Sequence, residues 1–361
     1  MGEAGAELTI DLDAITANWR LLSAKHPSGP VAAVVKANGY GLGALPIATR
    51  LFREGCRHFF VAHLGEATAI RSSVPGAMIG VLNGLQPGAE PAYIAADLTP
   101  VLNGVGEVAR WREASRDAGR SLPAVLHVDT GMSRLGLDAD GVGALAADPG
   151  LLDGLALRYV MTHLSSAECP ADPGNERQRR IFVRACAALP PSPRSLANSS
   201  GIFLGPDYGS DLARAGAALY GVNPTPGAAN PMRPVLHLRA RILQVRHLLA
   251  GDSVGYNATW TAGCPSRIAT ASIGYADGWM RSLSGRAVAH FDGRPVPLVG
   301  RVSMDLSTFD VTGCPGAEPG AWLELIGPGQ CVDAVADAAG TNGYEILTSL
   351  GQRFGRTYLG T

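Results

Sequence analysis

Short apolar runs recur through the first two thirds of the chain and predict the strands of one sheet. Continuous runs of this kind are typical of strands that are covered on both faces. Eight of them occupy residues 31–35, 59–62, 78–82, 98–102, 124–128, 159–162, 195–197 and 212–215.

Segments that can form helices lie between these runs, and they include residues 46–54, 65–71, 106–118 and 177–188. Strands that alternate with helices predict an α/β fold, either a (β/α)8 TIM-type barrel or a doubly wound open sheet. The barrel is favoured because four candidate reactive residues come at or just after the C-terminal ends of runs, where barrel enzymes keep their chemistry. These four are Lys36, Arg134, His163 and Ser199.

The two ends of the chain have a different pattern. Residues 8–12 alternate like a short strand, and Asp13 is predicted to cap a helix over 14–22. A connector rich in Pro and Gly, TPGAANPMRP, precedes longer strands, two short helices and a last strand. These elements are predicted at 234–249, 267–273, 287–291, 296–299, 322–326, 332–339, 344–350 and 356–359, with a hairpin turn at Asp292-Gly293. We therefore expect a barrel over residues 1–230 and a mostly β domain over 231–361, with residues 1–12 as candidates to pair with the second domain.

Composition narrows the class of protein. The 361 residues are 46% hydrophobic, and 30 basic against 31 acidic residues give a net charge of −1. This balance indicates neither a nucleic acid nor a membrane surface as partner. The six cysteines lack CxxC spacing, which argues against a zinc site or a disulfide framework. Because the N-terminus lacks a signal-peptide pattern and no stretch approaches a membrane span, we expect a cytoplasmic enzyme.

Lys36 stands where the first buried strand ends, in the sequence VVKANGYGLG. An ammonium group held at the edge of a pocket is partly desolvated, which lowers its pKa toward nucleophilic use. On this stretch alone, a solvated lysine at a strand end fits equally well.

Later motifs supply further candidates. Arg134 in VDTGMSRLG can hold a carboxylate or phenolate in its planar fork, although such an arginine alone is usually a surface charge. His163 in THLSS, taken alone, is more often structural than catalytic. Arg214 ends the eighth run and is followed by Gly216 and a predicted helix from Ala217, whose free N–H groups can bind phosphate. A lysine facing a phosphate site suits pyridoxal phosphate.

Eight short motifs occur in the same order as in one known protein family, and together they make the resemblance specific. They are VVKANGYG, VDTGMSRLG, THLSSAE, ANSSG, ARAGAALYG, VGYNATWTA, IGYADGW and GRVSMDL. The chain resembles the pyridoxal-phosphate-dependent alanine racemases of the barrel type. The resemblance implies that the protein racemises a small amino acid, L-alanine to D-alanine. It also implies that the D-alanine is used for peptidoglycan and that the enzyme is a homodimer with shared active sites.

The resemblance also implies a role for each matching residue. Lys36 would be the Schiff-base lysine and one catalytic base, and Tyr275 would be the opposing base. Tyr40, Ser199, Gly216 and Ala217 would hold the cofactor phosphate. Arg214 would face the pyridine nitrogen with support from His163, and Arg134 would contact the cofactor phenolate and the substrate carboxylate. Met304 would bind that carboxylate through its N–H, and both Tyr275 and Met304 would come from the second subunit.

Three positions depart from the common pattern of this family. His127 stands where many members have a carbamylated lysine that orients the arginine, Gln352 where some have a phosphate-binding tyrosine, and Ser303 where a cysteine is frequent. Other functions stay open at this point. A broader-specificity or serine racemase would use the same catalytic residues. A non-catalytic pyridoxal-phosphate carrier would lack the second domain, and a barrel decarboxylase would need an acid or cysteine donor that TGCPGAEPG does not supply.

Overall fold

Eight parallel strands form a nearly closed barrel in the computed structural model, which describes residues 5–360. The chain enters through strand β1 (Ala6–Asp11), which lies outside the barrel. The barrel strands are β2 (Val31–Val34), β3 (His58–Val61), β4 (Met78–Val81), β5 (Thr99–Leu102), β6 (Leu122–His127), β7 (Leu155–Met161), β8 (Arg194–Ser195) and β9 (Ala213–Ala215). Their order is β8-β7-β6-β5-β4-β3-β2-β9, and a parallel bridge between Asn198 and Arg214 joins the two ends.

All eight apolar runs of the sequence became barrel strands, so the predicted barrel is confirmed and the open sheet is wrong. The barrel interior is filled by side chains from many strands, as expected for a packed core. Its buried members are Ala32, Val34, Phe60, Val101, Val125, Met161 and Leu212.

Helices cover the outside of the barrel. They are α1 (Leu12–Lys25), α3 (Ala44–Arg53), α4 (Leu64–Arg71), α5 (Glu90–Ala95), α6 (Val105–Asp117), α7 (Ala139–Ala147) and α8 (Pro173–Ala188). The short segment α2 (Lys36–Tyr40) instead lies at the carboxyl end of β2 and contains residues with left-handed backbone. The cap predicted at Asp13 is wrong, because Asp11 accepts the Ala14 N–H at 2.9 Å and Asp13 lies in the first turn. Within the described residues, no helix has both the length and the apolar character needed to cross a bilayer.

The second part of the chain builds a second sheet, which includes β1, together with a separate pair of strands, β11 and β12, and two helices. Its elements are β10 (Leu236–Leu248), β11 (Ser253–Val254), β12 (Trp260–Thr261), β13 (Ser266–Ala271), β14 (Val288–Phe291), β15 (Arg294–Pro297), β16 (Ser307–Asp310), β17 (Trp322–Ile326), α9 (Val332–Ala339), α10 (Gly343–Ser349) and β18 (Gly355–Leu359). Strand β1 lies between β10 and β18 and pairs with both. Residues 1–4 and 361 lie outside the described residues. The hairpin predicted at Asp292-Gly293 is confirmed, since Phe291 pairs with Arg294 across it.

Candidate active site

A cavity of about 630 Å³ opens at the carboxyl ends of the barrel strands. Its volume falls in the range of small-molecule sites. Eight of the ten predicted site residues line it: Lys36, Tyr40, Arg134, His163, Ser199, Arg214, Gly216 and Ala217. Tyr275 and Met304 do not line it within one chain.

Lys36 follows strand β2 by two residues and lies half-buried at the cavity. Burial lowers the pKa of its ammonium group, and the positive charge of Arg134 lowers it further. The carboxylate of Glu66 acts in the opposite direction. The lysine is therefore easier to deprotonate than a solvated one, which is the condition for a nucleophile or a base.

The backbone just after Lys36 adopts a left-handed conformation over four residues. Ala37, Asn38, Gly39 and Tyr40 have φ values of 52°, 52°, 64° and 53°. For residues with a side chain this conformation costs roughly 1–2 kcal/mol each.

Glu66 holds this turn in place. One carboxylate oxygen accepts the Ala37 N–H at 2.7 Å, and the other accepts the N–H groups of Ala62 and His63 at 2.8 and 3.1 Å. The sequence does not reveal Glu66 as a site residue, because it lies 29 positions from Ala37.

Hydroxyl and amide groups gather at one end of the cavity. The Ser199 hydroxyl oxygen accepts N–H groups from Gly216 at 2.9 Å and Ala218 at 3.3 Å. The Tyr40 hydroxyl packs so close to Gly216 that a Cβ there would lie 2.4 Å from it. The predicted helix after Gly216 is only a 3₁₀ turn, Ala217–Tyr220. The donors at this end of the cavity are therefore hydroxyls and individual amides, and not the N-terminus of a helix.

Arg214 is buried, and its guanidinium donates to the Ser195 hydroxyl and to the main-chain carbonyls of Ser195 and Thr162. Burial lowers the pKa of Arg214 to about 10, so it stays charged at neutral pH. Burial and the charges of Arg214 and Arg134 lower the pKa of His163 to about 3. His163 is thus a neutral neighbour of Arg214. The hydrogen bonds of the Arg214 guanidinium go to Ser195 and Thr162 and not to the His163 ring.

His127 lines the cavity at the end of β6 and is fixed by Asn103, which the sequence did not indicate. The amide nitrogen of Asn103 donates to the carbonyls of Val101 and Leu82, so its oxygen faces His127 Nδ1 at 2.8 Å. Nδ1 must therefore carry the proton, which leaves Nε2 as an acceptor. Burial and the charge of Arg214 lower the pKa of His127 to about 4, so the ring is neutral.

Tyr275 and Met304 lie on two loops of the second sheet, with exposed fractions of 43% and 54%. The loops are hydrogen-bonded, since the Tyr275 N–H donates to the Ser303 carbonyl at 3.0 Å. The Ser303 hydroxyl donates to the Leu306 carbonyl at 2.7 Å. Gln352 is exposed and does not line the cavity of its own chain.

Comparisons with known proteins identify the same family over both parts of the chain. The family model for the alanine racemase N-terminal domain matches residues 10–224, and that for the C-terminal domain matches residues 235–358. An alanine racemase of Acidiphilium cryptum is 57% identical, over 97% of each chain. A catabolic alanine racemase of Mesorhizobium japonicum is 52% identical, over 99% of this chain and 94% of its own.

A solved structure has the same fold from end to end. The alanine racemase of Bartonella henselae, which carries covalently bound pyridoxal phosphate, superimposes with a TM-score of 0.95. It is 41% identical, and the match covers 99% of this chain and 100% of that one. With both family models matched and identities above one half over nearly the full length, the chain belongs to the alanine racemase family.

Proposed function

We propose that this protein is a pyridoxal-phosphate-dependent alanine racemase that interconverts L- and D-alanine. The observation that carries the proposal is one cavity lined by a lysine with a lowered pKa, a buried arginine and a group of hydroxyl and amide donors. Family membership and the covalently bound cofactor of the Bartonella henselae neighbour support it.

The groups around the cavity fit this cofactor. Two hydroxyls, from Tyr40 and Ser199, and the amide of Ala217 suit a phosphate group. Gly216 contributes to this end of the cavity by donating its N–H to the Ser199 oxygen and by leaving room for the Tyr40 hydroxyl. We assign Arg214 to the pyridine nitrogen and Lys36 to the covalent bond with the cofactor. Arg134 suits the phenolate and the substrate carboxylate, and His163 supports Arg214 as a neutral neighbour.

When bound, the cofactor withdraws electron density from the substrate Cα and so acidifies its proton. Lys36 acts as base on one face of that carbon, and Tyr275 acts on the other. Bases on opposite faces are what inversion requires. Arg214 does not give up a proton, so it keeps the pyridine nitrogen unprotonated and weakens the electron withdrawal, which disfavours transamination.

The active form is a head-to-tail homodimer in this proposal. Tyr275 and Met304 are exposed and lie outside the cavity of their own chain, so each chain would complete the site of its neighbour. The Met304 N–H would bind the substrate carboxylate. We further propose that the enzyme works in the cytoplasm and supplies D-alanine for peptidoglycan.

One assay tests the reaction. Purified protein with pyridoxal phosphate is incubated with each L-amino acid, and the D-enantiomer is measured. We expect D-alanine as the main product and none from the Lys36→Ala variant. Equal rates with serine would indicate a broader racemase, and no D-amino acid at all would overturn the proposal. Deletion of the gene tests the role, because a peptidoglycan supplier should leave the cell dependent on added D-alanine.

A second experiment separates the two bases. Tyr275→Phe removes one proton acceptor, and loss of a positioned acid–base group typically costs about 10²- to 10⁴-fold in rate. Exchange of the Cα hydrogen with solvent should collapse for one alanine enantiomer and persist better for the other. Equal loss for both enantiomers would contradict the two-base mechanism.

A further inference from the structure

The loop of Tyr275 and the loop of Met304 are joined main chain to main chain. The Ala276 N–H donates to the Met304 carbonyl at 3.0 Å, beside the bond from Tyr275 to Ser303. A Cβ on Gly274 would lie 2.3 Å from the carbonyl oxygens of Ser303 and Met304, so the backbones touch. The two loops are therefore in direct main-chain contact, which a side chain that binds both of them can reinforce.

Arg353 connects the same two loops through hydrogen bonds to an aspartate side chain of each loop, an arrangement called the clip below. Its Nε donates to Asp277 Oδ1 at 2.7 Å, and its Nη1 donates to Asp305 Oδ1 at 2.8 Å. Asp277 follows Tyr275 by two residues and Asp305 follows Met304 directly. The guanidinium thus ties both loops to the segment between α10 and β18.

Asp277 connects Arg353 to the first residue of the turn that carries Tyr275. It is buried, and its second oxygen accepts the Gly274 N–H at 2.9 Å. The Gly351 N–H donates to the Asp277 carbonyl at 3.0 Å. A Cβ on Gly278 would lie 2.0 Å from the Ser349 carbonyl oxygen. The turn that carries Tyr275 is therefore fixed from both sides.

We infer that Arg353 is a positioning residue, which holds Tyr275 and the Met304 N–H at a fixed separation so that both groups engage one substrate. The inference rests on the proposed function, in which these two groups complete a neighbouring site. Arg353 itself touches neither substrate nor cofactor in this account.

Because the Arg353 side chain is largely exposed, a variant at this position can distinguish a positioning role from a role in folding. The Arg353 side chain is 51% exposed, so its removal opens no core cavity. The ion pair with Asp305 joins two exposed side chains and stabilises the protein little. Asp277 is buried, but its carboxylate keeps the Gly274 N–H as a partner when the guanidinium is removed. A misplacement of about 1 Å can nonetheless cost about 10²-fold in rate. We therefore expect a variant at this position to lose activity without losing its fold.

The test compares Arg353→Met and Arg353→Lys holoenzymes with wild type. We expect Arg353→Met to lower kcat by about 10- to 100-fold. Cα-hydrogen exchange should fall for the same alanine enantiomer that Tyr275→Phe affects, and persist for the other. Arg353→Lys keeps the charge but lacks the fork, so it should recover part of the loss.

Arg267→Met is the matched control. Arg267, in β13, also holds a loop of the second sheet, through the Cys314 and Ala317 carbonyls and Glu318, but it has no hydrogen bond to the Tyr275 turn. It should keep wild-type kcat and equal exchange of both enantiomers. Unchanged kcat in Arg353→Met, or equal loss for both enantiomers together with a lowered Tm, would overturn the inference.

A readout independent of turnover is hydrogen–deuterium exchange of the main-chain amides. In Arg353→Met the amides of Tyr275 and Ala276 should exchange faster than in wild type, while those of β13 stay protected. Protection equal to wild type would refute the clip even if the protein proved not to be a racemase. A wild-type enzyme without racemase activity would instead overturn the proposed function alone.

Discussion

Replacing Gly216 by alanine should weaken binding of pyridoxal phosphate through a defined collision. The new Cβ would lie 2.4 Å from the Tyr40 hydroxyl oxygen and 3.2 Å from its Cζ. Ordinary contact begins at 3.4 Å. The hydroxyl must therefore move by about 1 Å, the difference between these two contact distances, and it cannot then donate well to a phosphate.

The ring of Tyr40 has little room to retreat. It stacks on Tyr220 with ring centroids 4.5 Å apart, and the Tyr220 hydroxyl is itself bonded to the Val34 carbonyl at 3.0 Å. Tyr220 is fully buried. A hydrogen bond to a charged group is worth about 1.5–3 kcal/mol. This corresponds to about 10- to 150-fold weaker binding of the cofactor.

Titration of the apoprotein with pyridoxal phosphate, followed by absorbance, measures this affinity. Gly65→Ala is the control, because a Cβ there meets nothing within 4 Å. Tyr40→Phe should weaken binding by a similar factor, and the double variant should lose little more than either single one. Additive losses, or an unchanged affinity in Gly216→Ala, would refute the collision as the cause.

Three further predictions concern other parts of the site. Mixing inactive Lys36→Ala and Tyr275→Ala subunits should restore activity, since one hybrid site regains both bases; no recovery after verified subunit exchange would show that both act within one chain. Glu66→Gln should lower the pKa of Lys36 further, because a negative charge is lost, and the pH dependence of lysine modification in the apoprotein checks this. His163 has a folded pKa of about 3 against an ordinary 6.5, so below pH 6.5 the unfolded chain takes up a proton that the folded chain refuses. Stability should fall on acidification, and His163→Gln should flatten that fall in urea midpoints taken from pH 7.5 to 5.

The barrel was predictable because its strands are buried on both faces and therefore read as continuous apolar runs. Helix α7 was not among the helices named from the sequence, since ADGVGALAA holds two glycines that lower helix propensity. Strands β11, β12 and β16 were missed because they are short or bordered by irregular loops.

The site was predictable where a side chain itself faces the cavity, as for Lys36 and Arg214. It was not predictable where one residue fixes another across the fold. Asn103 sets the tautomer of His127 through an amide whose orientation depends on two distant carbonyls. The left-handed turn at Ala37 was equally hidden, because alanine has no preference for it and a distant carboxylate holds it.

Strand β1 has a consequence for the order of folding during synthesis. The barrel lies between residues 31 and 215 and can assemble as soon as that stretch has left the ribosome. Strand β1 is made before the barrel, yet its partners β10 and β18 are made only after it, and Arg239 donates to Glu7 across 232 positions. Until then Leu8 and Ile10, which are fully buried in the finished protein, remain without their sheet. Strand β1 is thus made before the barrel strands but can pair only after them, and until then its unpaired edges must be kept from pairing with other chains.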